Sequence, residues 1–258
     1  MTVPVPPWWG VGLATLLVAL TGAVVVRQRL GLGRDVVEAA VRAFAQLVAV
    51  GFVLRLLFEH AGIPGSLGWV GGMVLLAGRT AGRRADGLPG AVRAATAGIG
   101  CAAAATLGLL VGARVLSSSP RVVVPIGGMV VSAAMQGATI VLTRVRDEAA
   151  ASRAAVEARL VLGLPGRAAF APYRRLALRA ALSPGLDQTK VVGLIALPGT
   201  MTGLIIAGVS PLTAIRYQVV VQYMWLGAVT IAGLVSARLA GGSLFDEAHR
   251  LRPLTPRR

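Results

Sequence analysis

Long uncharged apolar runs alternate with arginine-bearing segments along the whole chain. The runs 8–26, 61–78, 94–113, 122–143, 191–215 and 217–237 hold no charged residue. A further run, 38–58, carries Arg42 and Arg55 towards its ends, where a long stem can carry the charge to an interface. A helix that crosses a bilayer needs about 20 mostly apolar residues. The pattern predicts an all-α fold, a polytopic membrane helix bundle of about seven transmembrane helices.

The charged segments give that bundle an orientation. Segments 27–37, 79–93, 144–190 and 238–258 hold 3, 4, 9 and 5 basic residues, whereas the alternate segments hold Arg114, Arg121 and Arg216. Cytoplasmic loops carry the excess of Lys and Arg. The N-terminus is therefore expected outside and the C-terminus in the cytoplasm, as in a bacterial inner (plasma) membrane. The same bias requires 38–58 to cross, because otherwise 27–37 and 79–93 fall on opposite sides.

Composition agrees with this class. The chain has 258 residues, 55% hydrophobic and 14% charged, against about 25% charged in a soluble domain. It reads as a single membrane domain over 1–258. The net charge of +16 sits between apolar runs, so it points to membrane lipid and the positive-inside rule, and no nucleic-acid partner is expected. The lone Cys101 excludes an internal disulfide and, in an apolar run, reads as a small buried hydrophobe. His60 and His249 are far apart and no metal-ligand spacing is present, so any metal site is unknown. The start, MTVPVPPWWG, lacks the positive region of a signal peptide, so the first run reads as a helix that stays.

Small residues four apart, Gly68 with Gly72, Gly128 with Ser132 and Gly199 with Gly203, are candidates for close helix contacts. Pro198 removes a backbone donor inside the sixth run and predicts a kink there. That kink serves either a substrate path or packing.

The segment 144–190 is the expected cytoplasmic loop. Residues 147–162 are strong helix formers, and Gly163, Pro165 and Gly166 stop them. Pro172 starts another helix and exposes Arg174, Arg175 and Arg179. Ser183 and Pro184 read as the N-cap and first position of a third, with Asp187 and Lys190 one turn apart. The loop is either a solvated basic connector or a coupling element whose contacts with a soluble motor are Glu157, Gly163, Arg174 and Arg175. Glu157-Ala158-Arg159 followed by Gly163 matches the start of the E-A-A-x-x-x-G loop of ATP-driven import permeases. The Ile-x-Leu-Pro at Ile195 to Pro198 lies too far downstream to complete it.

Three blocks carry a wider resemblance. The run LRAALSPGLDQTKVVGLIALPGTMTGLIIAGVSPLTAIRYQVVV at 178–221, VVVPIGGMVVSAAM at 122–135 and RAFAQLVAVGFVL at 42–54 resemble, in order, segments of the FetB-type permease family. These are membrane subunits of ABC transporters linked to iron export, with plant relatives linked to aluminium tolerance and nucleotide-sugar transport. The resemblance implies a permease subunit that works as a homodimer of permease chains with a soluble ABC ATPase subunit. One departure stands out: Ala133 occupies the place of an Asn in the family pattern.

No G-x-x-x-x-G-K-[ST] is present and the sole lysine is Lys190, so the chain has no phosphate-cradling loop. No intrinsic cofactor is expected; ATP would be used by the partner subunit, and no catalytic residues emerge. The candidate substrate path is Met129, Met135, Gln136, Asp187, Pro198 and Met201; Gln46, Gln136, Gln218 and Gln222 either line a path or hydrogen-bond between helices. Each methionine is either a soft ligand or flexible core filler. Asp187 either attracts a cation or pairs with Lys190. Three functions follow: an ABC permease for a metal ion such as iron or for a non-metal substrate such as a nucleotide sugar; a secondary carrier; or a membrane scaffold. No carboxylate sits mid-run, which counts against a proton-coupled carrier.

Overall fold

The computed structural model describes residues 7–195, 197–248 and 250–254. They form ten α-helices: α1 (Trp8–Arg27), α2 (Gly33–Leu56), α3 (Gly62–Arg84), α4 (Ala91–Gly112), α5 (Pro120–Ala151), α6 (Arg153–Val161), α7 (Gly166–Ala169), α8 (Ala171–Val191), α9 (Gly199–Ile206) and α10 (Pro211–Ser243). A π-helical turn, Leu57–Ala61, joins α2 to α3. The all-α expectation holds. The first six residues and His249 lie outside the described residues.

The core is built from α3, α4, α5, α8 and α10. Alanine and valine fill it: Ala95, Ile99, Ala102, Val130, Ala134, Val141, Ala228 and Ala232 are among its buried residues. Small side chains let the backbones come close, which is how helices pack where lipid supplies no hydrophobic drive. A Cβ on Gly98 would lie 2.7 Å from the Ala232 carbonyl oxygen, and one on Gly137 would lie 2.8 Å from that of Val229. The glycine pairs expected from spacing are not the ones used. Gly68, Gly72, Gly199 and Gly203 have nothing within 4 Å of such a Cβ, and Gly128 meets only Met73. Spacing places two glycines on one face, but whether that face meets a neighbour is a tertiary matter.

Among the described residues, five helices are long and apolar enough to cross a membrane: Trp9–Arg27, Gly33–Glu59, Ala91–Gly112, Pro120–Ala151 and Pro211–Ser243. Helix α3 covers the expected run 61–78, but glycines dilute its apolar stretch and Arg79, Arg83 and Arg84 end it. The run 191–215 is not one helix. It breaks after Val191, resumes for the short α9, and turns into α10 at Pro211. Gly193 sits in the left-handed region (φ 84°), and Pro198 has no N–H to continue a ladder. The seventh run is correspondingly longer than 217–237.

At the end of the segment 144–190, residues 171–191 form one helix, α8, that packs against α5 and α10. It runs antiparallel to α10: Phe170 and Arg174 lie at Gly241, Leu178 at Gly233 and Gly185 against the Trp225 ring. Ser183 and Pro184 therefore sit inside one helix, not at the start of another. Proline is tolerated there, and the Ser183 hydroxyl donates to the Arg179 carbonyl (2.9 Å). Cys101 is exposed on α4, contrary to the expectation of burial, because an apolar helix at the rim of a membrane bundle has an apolar outer face.

Helices α1 and α2 form a hairpin. Among the described residues its contacts are internal or with the π-helical turn, and α2 has no buried residue.

Candidate functional site

Two places bring chemistry together. The first is the break between α8 and α9. Val192 is extended (ψ 134°), Gly193 turns the chain, and the N–H groups of Leu194 and Ile195 fold back to the Val191 carbonyl. Irregular backbone at membrane depth survives where it is buried in protein or lines a cavity. A cavity of about 350 Å³ lies here, lined by Thr189, Pro198, Met201, Gln218, Gln222 and Tyr223 among others. The Gln222 amide donates to the Thr189 hydroxyl (2.8 Å), which itself donates to the Gly185 carbonyl (2.7 Å). Thr200 donates to the side-chain oxygen of the buried Gln218. These bonds tie both sides of the break to α10. The polar groups of the lining are two amides, one hydroxyl and a phenol, with one thioether and no carboxylate.

Of the expected path residues, Pro198 and Met201 line this cavity. Asp187 does not. It is exposed on the outer side of α8 and pairs with Lys190 (3.1 Å). Met129 and Met135 pack against the core from α5, and Gln136 is exposed. Thr189 and Tyr223 in the lining, and Thr200 bonded to Gln218, are the polar groups that sequence reasoning missed. The available signal was Gln218 and Gln222, four apart and hence on one face of α10.

The second place is the far end of the bundle, at α6, α7 and the tail after α10. Val156 is fully buried and anchors α6. The Arg159 guanidinium stands 5.8 Å from the centre of the Tyr173 ring, and its Nη1 points at the Ala169 carbonyl oxygen (3.5 Å). Gly166 passes close to the Phe245 ring, where a Cβ would lie 2.7 Å from a ring carbon. Phe245 and Leu251 form an antiparallel bridge. Across that turn the Asp246 carboxylate accepts from the Arg250 backbone N–H (2.8 Å) and from its guanidinium (2.9 Å). The Arg250 amide, with the guanidinium's charge added to it, holds the Asp246 carboxyl below the usual range.

Between α6 and this tail opens a groove of about 850 Å³, lined by Glu157, Leu160, Gly163, Pro165, Arg250 and Leu251 among others. Glu157 is half-exposed and pairs with Arg153 (2.9 Å). Gly163 adopts φ 87° and so closes α6 with a turn. Beside the groove Val161 and Leu162 are 88% and 78% exposed. Of the four expected coupling residues, Glu157 and Gly163 share the groove. Arg174 is half-buried on α8 beside Gly241, and Arg175 is exposed on α8.

The comparisons with known proteins agree with a membrane bundle. Residues 8–245 match the model of the uncharacterised protein family UPF0014. The chain is 41% identical to the UPF0014 membrane protein STAR2 of Oryza sativa subsp. japonica, over 92% of this chain and 84% of that one. It is 37% identical to Protein ALUMINUM SENSITIVE 3 of Arabidopsis thaliana, over 93% and 88%. It is 30% identical to the probable iron export permease protein FetB of Escherichia coli (strain K12), over 93% and 92%. No solved structure matches the chain. A family model over nearly all of the chain, with relatives matched over most of their own lengths, shows that it belongs to the UPF0014 family of multi-pass membrane proteins.

Proposed function

We propose that this chain is the permease subunit of an ABC transporter that exports a metal ion, iron, using ATP hydrolysed by a separate soluble subunit. The relative named as an iron export permease supplies the substrate and the direction. The observation that carries the mechanism is the link from the α6 groove to the broken helix. Arg159 joins α6 to Tyr173 at the start of α8, and α8 leads without interruption to the break at 192–198. A soluble ATPase seated on Glu157, Val161, Leu162 and Gly163 pushes on α6. Arg159 passes that push to α8, and the break changes shape against Gln218 and Gln222.

In this reading the N-terminus is outside, the groove and C-terminal tail are cytoplasmic, and the cell is bacterial with the chain in its inner membrane. Two copies of the chain serve two ATPases. Helix α3 and the α8–α9 pair then complete a bundle of about seven crossings, α8–α9 as one discontinuous crossing.

A second reading keeps the ABC permease and changes the substrate to a non-metal. It is favoured by the cavity at the break, whose lining offers no carboxylate. Hard metal cations take oxygen ligands that include carboxylates.

The test is co-purification followed by reconstitution. Tagged protein in mild detergent should bring down a soluble ATPase whose hydrolysis in liposomes rises with ferrous or ferric iron. No bound ATPase from a folded bundle sinks the permease reading. An ATPase that responds to no metal while responding to organic solutes sinks the iron assignment alone.

A further inference from the structure

Three helices mark where the bilayer lies. The uncharged stretch of α10 runs between Arg216 and Arg238. At 1.5 Å per residue it spans about 32 Å, the thickness of a hydrocarbon core of about 30 Å. Helix α5 lies parallel to it, with Gly137 at Val229 and Val141 at Gly233, so Arg121 and Arg144 fall near the same two levels. Helix α4 lies antiparallel, with Gly98 at Ala232 and Thr106 at Gly227, so Arg93 and Arg114 do too.

Helix α8 breaks this pattern. Its contacts fix its depth: Leu178 is level with Gly233, Gly185 with Trp225 and Thr189 with Gln222. Gly233 lies about 8 Å inside the Arg238 level and Gln222 about 9 Å inside the Arg216 level. Arg179, Ser183, Asp187 and Lys190 therefore all lie within the slab. They recur at helical spacing on one face, and all four are exposed. The opposite face, with Ala177, Ala181 and Gly185, is buried on α5 and α10. Asp187 and Lys190 keep 70% and 72% of their side-chain surface exposed. Charged groups at this depth face a bundle interior or a water-filled cavity, because lipid cannot solvate them.

Resting on the permease reading above, we propose that the outward face of α8 lines a water-filled passage through the membrane, completed by a second copy of this chain. Among the described residues, helix-to-helix contacts of α8 go to α5, α7 and α10, so no part of the same chain covers the stripe. One helix face encloses nothing alone. The relative FetB is matched over 92% of its own length, which leaves no room in it for a second bundle, so a second copy is the partner. With two cations and one carboxylate each, the α8 stripes of the two copies give the passage an excess of positive charge, which favours an anion, or a metal ion carried as an anionic complex, over a bare cation.

The test is thiol accessibility in proteoliposomes, on full chains carrying Cys101→Ala. Ser183→Cys is compared with Leu109→Cys, a 70% exposed position on α4 that lies nearer the Arg216 level and so nearer water. A charged, membrane-impermeant sulfonate thiosulfonate should label the Ser183→Cys thiol at least about tenfold faster than the Leu109→Cys thiol, as a water-filled, charge-lined cleft would. Relative to free cysteine, it should also outpace its trimethylammonium counterpart, and Lys190→Gln should reduce that preference. A short bis-maleimide should join two Ser183→Cys chains into a covalent dimer.

Equal slow labelling at both positions, with both thiols reactive after denaturation, overturns the passage. Fast labelling without covalent dimer overturns the second copy as the other wall. A preference for the cationic reagent overturns the anion selectivity. None of these readouts uses ATP, so they separate this proposal from the ATPase partnership.

Discussion

The Arg159 guanidinium lies 5.8 Å from the centre of the Tyr173 ring, and this contact joins α6 to the first turn of α8. Phe170 packs beside the same ring, with centroids 5.7 Å apart. A cation over an aromatic face is worth about 0.5–2 kcal/mol, depending on desolvation. Tyr173→Phe keeps the ring and should keep coupling. Tyr173→Leu should leave the bundle folded while partner ATPase stimulation by substrate falls several-fold. The check is substrate-stimulated hydrolysis in the reconstituted complex. Equal stimulation in the two variants would remove this contact from the coupling route.

Gly98 and Gly72 should differ sharply although both are helical glycines. A Cβ on Gly98 meets the Ala232 carbonyl oxygen at 2.7 Å, and backbone cannot yield as a side-chain tip can. Overpacking of this kind costs about 1–3 kcal/mol. Gly98→Leu should therefore lower the melting temperature in detergent, while Gly72→Leu, with open space around it, should leave it nearly unchanged. Similar melting of the two variants would contradict the α4–α10 contact.

Most of the crossing helices were legible because hydropathy is a one-dimensional property. Runs 8–26, 122–143 and 217–237 lie within α1, α5 and α10, and 94–113 overruns α4 by one residue. The break after Val191 was not legible from hydropathy, since Gly193 and Pro198 interrupt the backbone without adding charge. Pro198 raised a kink but could not tell a kink from a full interruption. Helix α8 was only partly legible: Pro172 and Ser183-Pro184 suggested two short helices of a solvated loop, whereas 171–191 is one helix packed on α5 and α10. The α6 groove needed tertiary information too, because Arg250 and Leu251 reach Glu157 and Gly163 only through the fold.

Gly193 holds φ at 84°, where an alanine Cβ is strained even though nothing crowds it. A left-handed residue with a side chain costs roughly 1–2 kcal/mol. Gly193→Ala should lower the melting temperature modestly, and it should reduce transport more than the nearby Gly199→Ala, which sits in regular helix with open space. Melting temperature and flux measured on the same preparations check this. Equal effects at the two glycines would mean that the turn at 193 is not held as described.

The tail after α10 carries a pH dependence with a definite sign. The Asp246 carboxylate is held below its usual pKa, first by the Arg250 backbone N–H and then by the Arg250 guanidinium. A carboxyl whose folded pKa is lowered contributes stability above its unfolded pKa, about 3.9, and loses it as pH falls through the lower folded value. The bridge amides of Asp246 and Arg252 donate to the Arg250 and Leu244 carbonyls (3.0 and 2.8 Å) and report its closure. Their protection against hydrogen exchange, corrected for intrinsic rate, should stay flat from about pH 7 to 5 and fall below about pH 4. Asp246→Asn should show the weakened protection already at neutral pH. Loss in the wild type between pH 7 and 5, or an unaltered asparagine variant, would show that another group closes the tail. Because Leu251, which is bridged to Phe245, lines the groove beside Glu157, an opened tail should also weaken binding of the ATPase at neutral pH in the asparagine variant.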